Sequence, residues 1–164
     1  MEFIEHTISW CKGEMLEARI ILILGLILLI GTFLFYKTGT TPFSKAIVLP
    51  LLLFSMLLIG SGFSMSSLNQ KRIIESSYLY KSEKDQFINA EKKRVEEFKK
   101  WYPYTRIAMT IFILTGLLAY FFGGMIFQSI GLVFMLLGLS GFAIDHFSEE
   151  RADIYYSEIL KVSN

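Results

Sequence analysis

The chain has 164 residues, 53% of them hydrophobic and 19% charged, with a positive mean hydropathy. Its length is that of one domain, residues 1–164, but this composition is too apolar for the usual soluble protein, so a lipid bilayer is the expected solvent for much of it. The 16 basic and 15 acidic residues nearly cancel, which leaves no global field to draw the chain to nucleic acid, and nucleic acid is not an expected partner.

Glu2, Glu5, Glu14 and Glu17 precede the first apolar run, where a cleaved signal would carry basic residues, so the first span is expected to stay in the mature protein. Residues 2–17 have helical spacing. Ile4, Ile8, Cys11, Met15, Ala18 and Leu22 form an apolar stripe expected to face a helical bundle. Glu2, His6, Trp10, Gly13 and Glu17 lie on the other side, with Glu14 close by. Cys11 is the one cysteine; it has no partner for a disulfide or a metal knuckle and reads as a small apolar residue.

Residues 20–36 carry no charge and predict a first transmembrane helix at about 18–36, near the lower length limit for crossing hydrocarbon. Gly39 and Pro42 punctuate a short reversing loop. The second span is expected at about 46–67, with Pro50 in its first turns. Its end, residues 60–67, is rich in Gly and Ser at spacings that suit close helix packing in lipid or, alternatively, a hinge.

More than half of the charged side chains fall within residues 71–106. Phe87, Ala90, Val95, Phe98 and Trp101 or Tyr102 recur there at helical steps, opposite Lys92, Lys93 and Lys99. A helical hairpin over about 68–104 is expected, turning at 81–84, with Ser82 and Asp85 as a cap. Pro103, among Trp101, Tyr102 and Tyr104, falls where the second arm meets the membrane, the aromatics lying at headgroup level.

The uncharged run 107–144 is too long for one crossing, and Gly123-Gly124 divides it into spans at about 105–122 and 125–145. A helical end over 146–162 follows. Of the basic residues, only Lys37 and Lys45 lie in the outer loops, so both termini and the centre are expected on the cytoplasmic side, in a bacterial inner membrane. The predicted fold class is an all-α integral membrane protein: four transmembrane helices as two antiparallel hairpins, with helices extending into the cytoplasm as a bundle.

Carboxylates and imidazoles on facing helices can hold divalent metals. The candidates are His6, Glu14 and Glu17 on the first helix and Asp145, His146, Glu149 and Asp153 on the last. His146 and Glu149 stand in the order opposite to the Glu-x-x-His of di-iron bundles. Their alternative role is ion pairing with Lys71, Arg72, Lys92, Lys93 or Arg94, and no cofactor is expected. Glu17, Arg19, Arg106 and Asp145 form a ring at the inner boundary, where charge is costly unless paired. At least one of Arg19 and Arg106 is expected to pair with Glu17 or Asp145.

Within the spans the polar groups are chiefly Thr32, Ser55, Ser61, Thr110, Thr115, Gln128, Ser129 and Ser140. With no ionisable group at depth, a monomeric transporter is disfavoured. Phosphate loops, dinucleotide turns, nucleophile elbows and metalloprotease helices are absent from the sequence. The expected role is therefore non-enzymatic: an assembly, regulatory or protective component that binds itself or a protein partner through the cytoplasmic helices. An oligomeric channel, lined by 60–67 or by 138–141, is the alternative, and a divalent-metal site in the bundle the second alternative.

Overall fold

The computed structural model describes residues 2–163; the two ends of the expected domain, residues 1 and 164, lie outside them. The described residues are helical, 94% of them in helices, with no strand among them. The helices are α1 (Phe3–Thr38), α2 (Pro42–Ala46), α3 (Val48–Ser82), α4 (Lys84–Lys99), α5 (Tyr102–Phe122) and α6 (Met125–Ser163).

Capping chemistry sets the breaks. Gly39 ends α1, its N–H donating to Phe35 O at 2.9 Å. The Thr41 hydroxyl then accepts from Ser44 N at 3.1 Å, with Pro42 in the first turn of α2, where its missing N–H is least costly. α3 stops at Glu83, whose extended φ of −144° breaks the helix within the expected turn. The expected Ser82 cap is not made: its hydroxyl donates back to Tyr78 O and caps nothing ahead. Between α4 and α5 the backbone stays near-helical through Lys100 and Trp101, and Pro103 enters in the first turn of α5. Gly123 and Gly124 separate α5 from α6.

Four helical stretches, Phe3–Thr38, Pro42–Ser82, Lys84–Phe122 and Met125–Ser163, are long and apolar enough to cross a membrane, which supports a membrane-integral protein. At about 1.5 Å per residue each exceeds the roughly 30 Å hydrocarbon thickness. Large apolar side chains point outward along these stretches, Ile30 at 62% and Phe122 at 86% exposure among them, an arrangement suited to lipid.

α1 packs along α3 and α5 along α6, while α6 also touches α1, α3 and α4. Glycines allow the close approaches. A Cβ on Gly62 would lie 2.6 Å from Ala18 O, and one on Gly25 would lie 3.0 Å from Ile59 N. Contact positions thus rise along α1 as they fall along α3. Gly116 and Gly131 face each other in the same way, each standing where the other's carbonyl oxygen would meet a Cβ. Gly138 and Gly141 lie against Met109 of α5.

The interior divides into two apolar clusters. One holds Ile21, Ile47, Leu51, Phe54, Leu58 and Val133, from the uncharged runs. The other holds Phe3, Trp10, Cys11, Phe87, Ile88, Val95, Tyr155 and Ile159, from the charged halves of the helices. The region around the second cluster is called the extension below.

Candidate functional site

The side of α1 turned inward differs from the apolar stripe expected for it. Phe3, Thr7, Trp10, Cys11, Glu14, Glu17 and Ala18 are buried, while Ile4, Ile8 and Met15 are only half-buried. Polar residues therefore enter the interior, and each is met by a group on a distant helix. Trp10 stacks on Tyr155, ring centroids 5.1 Å apart. The Tyr155 hydroxyl donates to Glu91 Oε2 at 2.9 Å. Its one proton is thereby committed, so Thr7 supplies the proton for the 2.8 Å bond between their oxygens. Glu91 also accepts from Arg94 Nε and Nη2 at 2.9 and 2.6 Å. The Arg94 guanidinium lies 4.4 Å from the Trp10 ring centre. This closes a circuit through α1, α6 and α4.

A second cluster sits a turn closer to the apolar halves. Arg151 of α6 donates to Glu14 Oε1 from Nε at 3.1 Å and from Nη2 at 2.9 Å, and also pairs with Glu17. Its Cδ would lie 2.7 Å from a Cβ on Gly13, so the missing side chain lets Arg151 cross α1. Along the outer part of α6, Asp153 pairs with Lys99 at 2.6 Å and Tyr156 donates to Glu96 at 2.6 Å. Glu149 pairs with Arg106, and Asp145 accepts from the Thr105 hydroxyl. The Tyr102 and Ser148 hydroxyls lie 3.1 Å apart.

The metal candidates are therefore dispersed. Glu14 and Glu17 meet at Arg151, Glu149 is at Arg106 and Asp153 at Lys99. His6 lies 3.8 Å from Glu158, and His146 is exposed. Among the described residues no group of three or more His, Cys, Asp or Glu side chains converges as a ligand set. At the inner boundary Arg106 takes Glu149, and Glu17 takes Arg151. The expected pairing of at least one of Arg19 and Arg106 with Glu17 or Asp145 is not found; Arg19 is exposed. The physical reason is register: one turn along α6 separates Asp145 from Glu149, and the guanidinium reaches the outer one.

The hydroxyls within the apolar halves bond to their own helices. Thr32 donates to Leu28 O, Ser55 to Leu52 O, Ser129 to Met125 O and Thr115 to Ile111 O.

Burial raises the Cys11 thiol to about 11, an effect that the Arg72 and Arg94 charges partly oppose. It is therefore a protonated, inert thiol. Burial also pushes the Tyr155 phenol far above its ordinary value, and the Glu91 carboxylate adds to the push.

Between the two clusters opens a cleft of about 830 Å³, bounded by α1, α3, α4, α5 and α6. Glu14, Arg72, Arg94, Glu97 and Asp145 bring charge to it. Trp10, Phe98, Trp101 and Tyr102 bring aromatic surface, and Gly60, Ser64, Met65 and Leu68 line its apolar end. Asn69, 6% exposed, lies on its wall with Nδ2 donating to Met65 O at 2.9 Å and Oδ1 without a partner. Trp10 Nε1 is likewise buried and unpartnered. The lining joins the end of the predicted second span to the predicted inner boundary, so in a bilayer the cleft would straddle headgroups and acyl chains.

Sequence reasoning missed Tyr155, Glu91, Thr7, Asn69 and the inward position of Trp10. One signal was present: Ser148, Ala152, Tyr155 and Ile159 repeat at steps of four, three and four, the neighbour of the acidic stripe through Asp145, Glu149 and Asp153. No protein-family model matches the chain, and comparisons with curated proteins and with solved structures found no match.

Proposed function

We propose that the chain is a non-enzymatic membrane protein that works by binding, through the cleft at the base of its extension, as an assembly, regulatory or protective component. In this reading the four spans form two antiparallel hairpins in a bacterial inner membrane. Both termini and the central helices then face the cytoplasm, as the distribution of Lys and Arg favours.

The observation that carries the reading is a contrast. The acids with the best spacing for chemistry, Glu14, Glu17, Glu149 and Asp153, are each held by a cation. The cleft beside them stays open and mixes charge with aromatic surface, the composition of a recognition site. The partner is a second copy, another protein or a membrane component.

A photo-reactive residue in place of Trp101, at the cleft, is expected to give one discrete cross-linked product in cells. The same probe replacing the exposed Tyr78 should give none. Equal labelling from both positions, or none from position 101, would remove the reading. A cysteine at position 83, reactive to a hydrophilic maleimide only after the inner face is exposed, tests the orientation.

A further inference from the structure

Resting on the binding role of the cleft, we infer that its ligand is the phosphodiester headgroup of a bilayer phospholipid carrying an ammonium group, with Arg72 taking the phosphate.

Arg72 is the first reason. The residue is half-buried, and its guanidinium carbon lies 5.6 Å from the Trp10 ring centre. Among the described residues it has no carboxylate within ion-pair distance, although Arg94, on the same cleft, is satisfied by Glu91. A guanidinium withdrawn from water and lacking a carboxylate calls for another anion, and its planar fork suits phosphate oxygens. Stacking on indole leaves the N–H edges of such a group free to donate.

The orphaned polar atoms are the second, independent reason. Trp10 Nε1 and Asn69 Oδ1 belong to side chains each 6% exposed, both on the cleft wall and both without a protein partner. Leaving a buried donor and a buried acceptor unmade is costly, and a polar headgroup, or water ordered by one, supplies what both lack.

Charge narrows the class. Glu97, Asp145 and the Arg151-paired Glu14 also line the cleft, and they disfavour a dianionic phosphomonoester. A phosphodiester monoanion with an adjacent ammonium matches both signs at once. The apolar end, through Met65 and Leu68, takes the start of the acyl chains. The source is the bilayer because the cleft reaches the predicted headgroup level while continuing into the apolar half.

The chain has two tryptophans, Trp10 and Trp101, and both line the cleft, so intrinsic fluorescence reads its occupancy. The full chain, purified in a phosphate-free sugar detergent, is titrated with short-chain phosphatidylethanolamine, with diacylglycerol of the same chain length and with glycerophosphoethanolamine. A saturable change is expected for the phospholipid, with affinity falling at least about tenfold on loss of either the phosphate or the chains. Arg72→Gln should weaken phospholipid binding about tenfold or more, and Arg72→Lys by less, each checked for native helix content and melting temperature. If Arg72→Gln does not fold, the Lys variant carries the comparison.

Diacylglycerol binding equally, or Arg72 variants that fold and bind as the parent does, would overturn the phosphate assignment while leaving the binding role intact. Glycerophosphoethanolamine binding as tightly would overturn the bilayer source. Silence to all three ligands, with no cross-link from position 101, would remove the binding role itself.

Discussion

Trp10 lies flat on Tyr155, with ring centroids 5.1 Å apart and planes within 8° of parallel, although the two residues sit on the first and last helices. An offset stack of this kind is worth about 0.5–1.5 kcal/mol beyond the area it buries. Its further effect is to aim the Tyr155 hydroxyl between Thr7 and Glu91, so one aromatic pair positions the whole polar circuit.

Tyr155→Phe leaves Glu91 paired with Arg94 but strips Thr7 of its 2.8 Å partner. The expected loss is about 1–3 kcal/mol, as for other buried unsatisfied hydroxyls. Thr7→Val should lose a similar amount, and the double variant less than the sum, because the same bond is removed twice. Denaturant unfolding in detergent, followed by tryptophan emission, measures all three.

Arg151 alone holds Glu14 and Glu17, two carboxylates less than a tenth exposed. Arg151→Met is expected to destabilise the chain by about 3–5 kcal/mol, the usual penalty for stranding buried charge. Glu14→Gln with Glu17→Gln in that background should recover much of it. No recovery would show that the lost packing of the Arg stem, rather than charge, dominates; thermal melting of the parent and the two variants decides.

High pH should weaken the fold. The Cys11 thiol has an ordinary value of 9.0, raised in the folded chain to about 11 by burial. Above pH 9 the unfolded chain releases this proton while the folded chain keeps it, so stability is complete below pH 9 and falls as pH rises through 11. The loss is about 2–3 kcal/mol from this group. Tyr155, shifted upward by burial and by Glu91, adds a further loss beginning near its ordinary value of 10. Cys11→Ala should abolish the part of the decline between pH 9 and 10. In the parent, maleimide labelling of Cys11 should proceed no faster than unfolding.

Gly131→Ala would set a Cβ 2.5 Å from Gly116 O, forcing α5 and α6 apart, and is expected to cost about 1–3 kcal/mol. Gly31 meets nothing within 4 Å. Gly31→Ala should therefore be neutral or stabilising by up to about 1 kcal/mol through helix propensity. Resistance to unfolding in sodium dodecyl sulfate separates the two outcomes.

The helices long enough to span were legible because long uncharged runs leave few alternatives, and Gly39, Pro42 and Gly123-Gly124 mark their ends. The inward face of the extension was not. On α1 the expected stripe is buried at Cys11 and Ala18 but only half-buried at Ile4, Ile8 and Met15, while Thr7, Trp10, Glu14 and Glu17 are buried beside it. Burying them is tolerable only because Arg151 and Tyr155 stand opposite, and those partners lie 137 and 148 residues away. Helical spacing within one segment carries no information about the register between segments. The same limit explains the metal candidates: their spacing along α6 is sound, but Thr105, Arg106 and Lys99 sit against them. The cleft, lined from five helices, has no signature in any single stretch.

The apolar cluster of the extension draws Phe3 and Trp10 from α1, Phe87 and Val95 from α4, and Tyr155 and Ile159 from α6. During synthesis, then, Phe3 and Trp10 have no finished surface to pack on until residue 159 has emerged. Such long-range closure is slow relative to local helix formation. Closing this cluster therefore requires α1, α4 and α6 together, and a chain lacking α6 would leave Phe3 and Trp10 without the Tyr155 ring on which both stack.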